Sequence, residues 1–104
     1  MIVIHILCSE KSEAETIIEL LIEEQLIWNA TISKKTFYEE KDKERIGTND
    51  KFLITAKTRS LLFQSVNHLL RDIYKDHMPL LYCIPIVYMD PQQSDMLLKQ
   101  TLKI

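Results

Sequence analysis

Few side chains in this chain are spaced so that they could do chemistry. Asp76 and His77 are adjacent and offer a carboxylate oxygen with an imidazole nitrogen, the donor types that copper or zinc accepts. Two donors from one loop do not complete a site, so a neighbouring copy would supply the rest; otherwise His77 is a solvated histidine near a helix end. Lys57 and Arg59 would close a strand and could hold a small carboxylate at a cleft between subunits. A lysine in that place also serves solubility. His5 lies among apolar strand residues, which suits a neutral, hydrogen-bonded imidazole in an interface, while His68 falls on a polar helix face. Cys8 and Cys83 sit in apolar runs without CxxC spacing and read as buried, reduced thiols.

Catalytic signatures do not occur. The chain has no Gly-x-Ser-x-Gly, no phosphate loop and no His-Glu-x-x-His, and its single glycine argues against a backbone cradle for nucleotide phosphates. The expectation is a protein that is not an enzyme. Thirteen basic and fifteen acidic residues give a net charge of −2, with the signs mixed and no basic block, so nucleic acid is not an expected partner. The apolar run Ile2 to Cys8 is far shorter than the roughly 20 residues that span a bilayer, and no secretory leader is expected. No membrane association and a cytoplasmic location are therefore expected.

The elements that must position these residues follow from periodicity. Ile2 to Cys8 is β-branched and almost wholly apolar, the pattern of a central strand buried on both faces. Ser9 or Ser12 is placed to cap the next helix, Ser12 with Glu15 as a capping box, and Ala14, Ile17, Ile18 and Leu21 form its apolar stripe, with an end near Trp28. Asn29 to Tyr38 and Lys51 to Thr58 read as strands joined by the charged loop Glu39 to Asp50, for which Gly47, Asn49 and Asp50 supply turn chemistry. A second helix runs from about Arg59 to Tyr74 on the stripe Leu62, Phe63, Val66, Leu69, Leu70 and Ile73. Leu80 to Tyr88 reads as a last strand, in which Pro85 implies a bulge or an edge, and Asp90 with Pro91 opens a short final helix.

This order predicts a single domain over residues 1–104 with an α+β, ferredoxin-like βαββαβ sandwich, an antiparallel sheet with both helices on one face, and a short C-terminal helix. Such a sheet leaves its other face bare. Because the first and last strands are apolar at both odd and even positions, that second face is expected to be covered by other subunits.

The chain resembles the CutA family of divalent-cation tolerance proteins, relatives in fold of the PII signalling proteins. The resemblance spans nearly the whole chain and is carried by Leu20-Leu21-Ile22-Glu23-Glu24-Gln25-Leu26, by Thr36-Phe37-Tyr38, by Ala56-Lys57-Thr58, and by Pro79 with Pro85 six residues on. It implies a homotrimer in which the hairpin reaches over the adjacent subunit, with Phe37 and Tyr38 sealing the interface; Val87, on the last apolar strand, is expected at the covered face. It also implies metal or small-ligand binding at clefts between subunits. Where the family has His-Pro-Tyr-Glu-Val-Pro, this chain has Tyr74-Lys75-Asp76-His77-Met78-Pro79, so the histidine and glutamate discussed as metal ligands there are replaced. Asn29 stands at the family's cysteine. The PII likeness implies a second possibility, a regulatory interaction module in which the 39–50 loop contacts another protein.

Overall fold

In the computed structural model, residues 1–103 are described. They form a four-stranded antiparallel sheet in the order β2-β3-β1-β4, from β1 (Ile2–Cys8), β2 (Trp28–Asp42), β3 (Arg45–Thr58) and β4 (Leu80–Pro85). Helices α1 (Lys11–Glu23) and α2 (Phe63–Tyr74) follow β1 and β3, and α3 (Pro91–Gln100) closes the chain.

The pleat decides where the core sits. Successive strand residues face opposite ways, and the even set Ile2, Ile4, Ile6, Cys8, Ile54, Ala56 and Thr58 is buried with Ala14, Ile17 and Leu21 of α1 and Val66 and Leu70 of α2. Both helices therefore cover the even face. In β1 burial alternates strictly, so the strand is central, as its composition predicts, yet within one protomer it is fully buried on one face only. Ile73, expected in the α2 stripe, is instead 50% exposed.

α1 differs from expectation at both ends. Its N-cap is Glu10, without a side-chain cap, and Ser12 lies inside the first turn, so the capping box does not form. The helix stops at Glu23 because Gln25 adopts the left-handed conformation (φ 57°). Its N–H donates to the Ile22 carbonyl at 3.0 Å and the Leu26 N–H to the Leu21 carbonyl at 2.9 Å. This is a Schellman motif with glutamine where glycine is usual, stapled by the buried contact partners Leu21 and Leu26. The Thr58 hydroxyl then donates to the Leu26 carbonyl at 2.6 Å, tying the helix exit to β3.

The segment 39–50 is not a loop. β2 and β3 stay paired from Thr31 opposite Thr55 out to Asp42 opposite Arg45, and only Lys43 and Glu44 make the turn. Asp42 accepts the Glu44 N–H at 3.0 Å, so the turn is closed by an aspartate side chain. Gly47 is paired with Glu39 inside the strand, where the Lys41 side chain crosses the space that a Cβ would occupy. At the base of the arm two of the segment's charges pair across the ladder, Asp50 with Lys34 at 3.4 Å and Glu39 with Lys51 at 3.8 Å. Because β1 pairs with β3 only as far as Phe52, the outer half of this hairpin stands clear of the sheet as an arm.

The end of the chain follows local signals closely. Asp90 accepts the Gln92 and Gln93 N–H groups, each at 3.1 Å, and Pro91 occupies the first turn of α3. β4, however, ends at Pro85 and not at Tyr88. It is an edge strand, where a residue without N–H leaves no ladder bond unmade.

Candidate functional site

The odd residues of β1, β2 and β3 together with the even residues of β4 form the open face of the sheet, and the strand register arranges them in rows. One row is Ile84, Val3 and Lys57; the next is Tyr82, His5, Thr55 and Thr31; the third is Leu80, Leu7, Leu53 and Ser33. On the β4 and β1 side this face is apolar, with Leu80, Tyr82 and Ile84 all exposed. Apolar area of this kind on one contiguous face marks an interaction surface.

His5 pairs with Tyr82 in the middle row of the β1–β4 half. Its Nδ1 lies 3.0 Å from the Tyr82 hydroxyl, and the two rings meet edge to face with centroids 5.1 Å apart at 76°. The expectation of a hydrogen-bonded imidazole is met. Its partner was not foreseen, since Tyr82 lies 77 residues away and only antiparallel pairing of the first and last strands brings it alongside.

Asp76 and His77 lie in the 3-10 turn Lys75–His77 that follows α2, and both are exposed. Lys75 enters this turn with φ 52° and ψ −114°, a backbone conformation that a non-glycine residue adopts only under strain. Among the described residues, no three His, Cys, Asp or Glu side chains are grouped to hold a metal ion. The residues of one protomer thus do not fit a divalent metal. Cys8 offers no help: burial, and secondarily the charge of Glu13, push its thiol up to about 12, so it is protonated and a poor ligand at neutral pH. The Tyr74 hydroxyl is likewise raised by burial, then by Glu13 and Cys8.

Lys57 and Arg59 go separate ways. Lys57 lies on the open face beside Val3, whereas Arg59 turns to the end of α3, donating to the Leu98 carbonyl at 2.6 Å and the Thr101 hydroxyl at 3.0 Å. These contacts cap the helix with a cation, which its C-terminal carbonyls favour. Phe37 and Tyr38, adjacent in β2, face opposite sides of the arm: Lys51 lies over the Phe37 ring at 5.5 Å, while Tyr38 is 75% exposed. Val87 lies beyond the end of β4, outside the sheet, and is 79% exposed. His68 is exposed on α2, and Cys8 and Cys83 are free, the first buried and the second half-buried. Near the arm tip, Tyr38, Glu40, Asp42, Arg45 and Ile46 border a shallow recess of about 460 Å³.

This strand order, with two helices on one face and a bare apolar face opposite, defines a ferredoxin-like α+β protein of the CutA type. The profile of the CutA1 divalent ion tolerance protein matches residues 2–99, and the chain belongs to that family. A comparison with curated proteins gave no match. Similar solved structures include CutA1 from Pyrococcus horikoshii, with a TM-score of 0.86 and 17% identity over 99% of this chain and 100% of that one. The periplasmic divalent cation tolerance protein CutA from Archaeoglobus fulgidus has a TM-score of 0.81 and 24% identity over 96% and 98%. CutA1 from Oryza sativa has a TM-score of 0.84 and 17% identity over 99% and 94%. At such identities these likenesses speak for the fold.

Proposed function

We propose that this CutA1-family chain acts as a homotrimer that is not an enzyme and that holds a small ligand in clefts between subunits. The observation that carries this reading is the protomer's surplus surface. A compact monomer of 12.3 kDa exposes about 6,100 Å², whereas this protomer exposes 7264 Å². Its radius of gyration is 15.3 Å, against about 13 Å for a compact chain of this length. The excess lies in the arm and is accompanied by the bare apolar sheet face, the two features that a neighbouring copy would cover.

In this reading Lys57, on the open face, is the residue that offers charge to an anionic ligand at the cleft. A divalent ion would need donors from more than one subunit, with Asp76 and His77 as each protomer's share. The free thiols Cys8 and Cys83 favour the cytoplasm, where thiols stay reduced. Sedimentation velocity at micromolar concentration should show a trimer; a monomer would remove the basis of the proposal. Titration of copper and of zinc into chelator-treated protein, beside His77→Ala, tests the metal reading, which fails if binding is weak and indifferent to the substitution.

A second reading, a regulatory module acting through residues 39–50, draws on the exposed apolar pair Tyr38 and Ile46 on the arm. Deleting Glu40 to Glu44 separates the two. A trimer that survives but loses a co-purifying protein supports regulation, whereas loss of the trimer assigns the arm to assembly.

A further inference from the structure

We infer that His5 couples assembly of this chain to pH, with the protonated imidazole opposing coverage of the open face by a second copy. The inference rests on the homotrimer proposed above and assigns a control to the same surface.

The argument begins with position. His5 occupies the middle row of the central strand, already half-buried within one protomer, with Val3 and Leu7 on either side along β1. β4 presents Leu80, Tyr82 and Ile84 to it, none of them charged at neutral pH, and β3 presents Leu53, Thr55 and Lys57. From β2, beyond β3, come Thr31 and Ser33. Lys57 is therefore the charged neighbour, and it has the same sign as an imidazolium. No carboxylate faces His5 from these strand segments among the described residues. The acidic residues of β2 and β3 begin further out, at Glu39 and Asp50, where Lys51 and Lys34 already engage them.

Hydrogen bonding gives the same direction. Neutral His5 is satisfied at Nδ1 by the Tyr82 hydroxyl, which can donate or accept according to the tautomer. Protonation makes both ring nitrogens donors. With Nδ1 donating to Tyr82, the ring can no longer offer an acceptor at either nitrogen, and Nε2–H needs an acceptor or water, which a covering subunit removes. Desolvation penalises the charged form, and no opposite charge on these strand segments offsets it. Assembly thus favours the neutral imidazole, and by reciprocity proton uptake favours the separated subunits.

The sign fixes the window. A histidine that holds its proton less tightly when covered leaves assembly intact above the usual imidazole range of about 6.5 and weakens it below. Each such histidine weakens association by up to about tenfold per pH unit, so three in a trimer give up to about a thousandfold per unit.

Sedimentation velocity of the full chain at about pH 8 and about pH 5, on the wild type, His5→Leu, His5→Gln and a His68→Gln/His77→Gln double variant, is the test. Trimers at the higher pH that dissociate at the lower, in the wild type and the double variant but in neither His5 variant, are the expected result. His5→Gln keeps a neutral side chain able to bond to Tyr82, so it guards against a packing defect peculiar to leucine. A wild type that stays trimeric at the lower pH overturns the coupling alone, and dissociation of both His5 variants along with the wild type assigns it to other groups. A wild type that is monomeric at the higher pH overturns the homotrimer itself.

Discussion

The two faces of the same four strands obey the same backbone geometry and have opposite fates. The even face is sealed by α1 and α2, and its residues Ile4, Ile6, Ile54, Val66 and Leu70 are wholly excluded from water. The open face carries side chains that are nearly as apolar along β1 and β4, but Leu80, Tyr82 and Ile84 stay exposed in the protomer. Apolarity therefore does not distinguish the core from the open face in this chain. What distinguishes them is whether the chain's own helices are long enough and on the right side to reach.

If that contrast is sound, substitutions on the two faces should fail in different ways. The largest effect is expected from Ile6→Ala on the sealed face, which removes buried volume that cannot refill and should lower protomer stability by about 2–5 kcal/mol in denaturant titration. A loss below about 1 kcal/mol would mean that the even face is not close-packed. Ile84→Glu on the open face should leave the far-UV circular dichroism unchanged while weakening self-association more than about 100-fold, because a carboxylate would be buried without a partner. An unchanged sedimentation coefficient would place the assembly surface elsewhere. Arg59→Ala belongs to neither face; by exposing the last carbonyls of α3 it should cost about 1–3 kcal/mol and raise amide exchange in residues 91–100. Unaltered exchange there would show that Leu97 alone holds the helix. The smallest effect, and one of opposite sign, is expected from Gln25→Gly, which relieves a left-handed side-chain conformation and should stabilise by about 0.5–1 kcal/mol in thermal unfolding.

Elements whose cause lies within a few residues were legible in advance. Asp90 and Pro91 open α3 as their types require, since a capping carboxylate and a proline at the first turn act over three residues. Pro85 pointed to a bulge or an edge, and β4 is an edge strand. The exit of α1 was misread because its Schellman turn uses glutamine, and no glycine announced it. The arm was misread for a different reason. Glu39 to Asp50 has a loop's composition, and it becomes strand through the backbone ladder across the hairpin, from Thr36 opposite Asp50 out to Asp42 opposite Arg45. Cross-strand pairing is a property of two segments and cannot be seen in either alone.

The candidate site divides along the same line. His5 could be singled out as a hydrogen-bonded imidazole from its apolar neighbours, but not its partner or its row. Lys57 and Arg59, two residues apart, looked like one anion clamp, yet Arg59 is engaged by a helix end some forty residues on. Asp76 and His77 remain neighbours in space as in sequence, and no third donor in the described chain joins them.

By itself, then, the sequence determined the order of elements, the family, and the presence of apolar side chains on both faces of the first and last strands, because these are read from short-range periodicity and spacing. Tertiary structure alone decided that the helices take the even face, that His5 meets Tyr82 on the open one, and that residues 39–50 form an arm. The first two outcomes depend on β1 pairing with the distant strands β3 and β4, and the arm on the ladder between β2 and β3, whose register sets every neighbour at once.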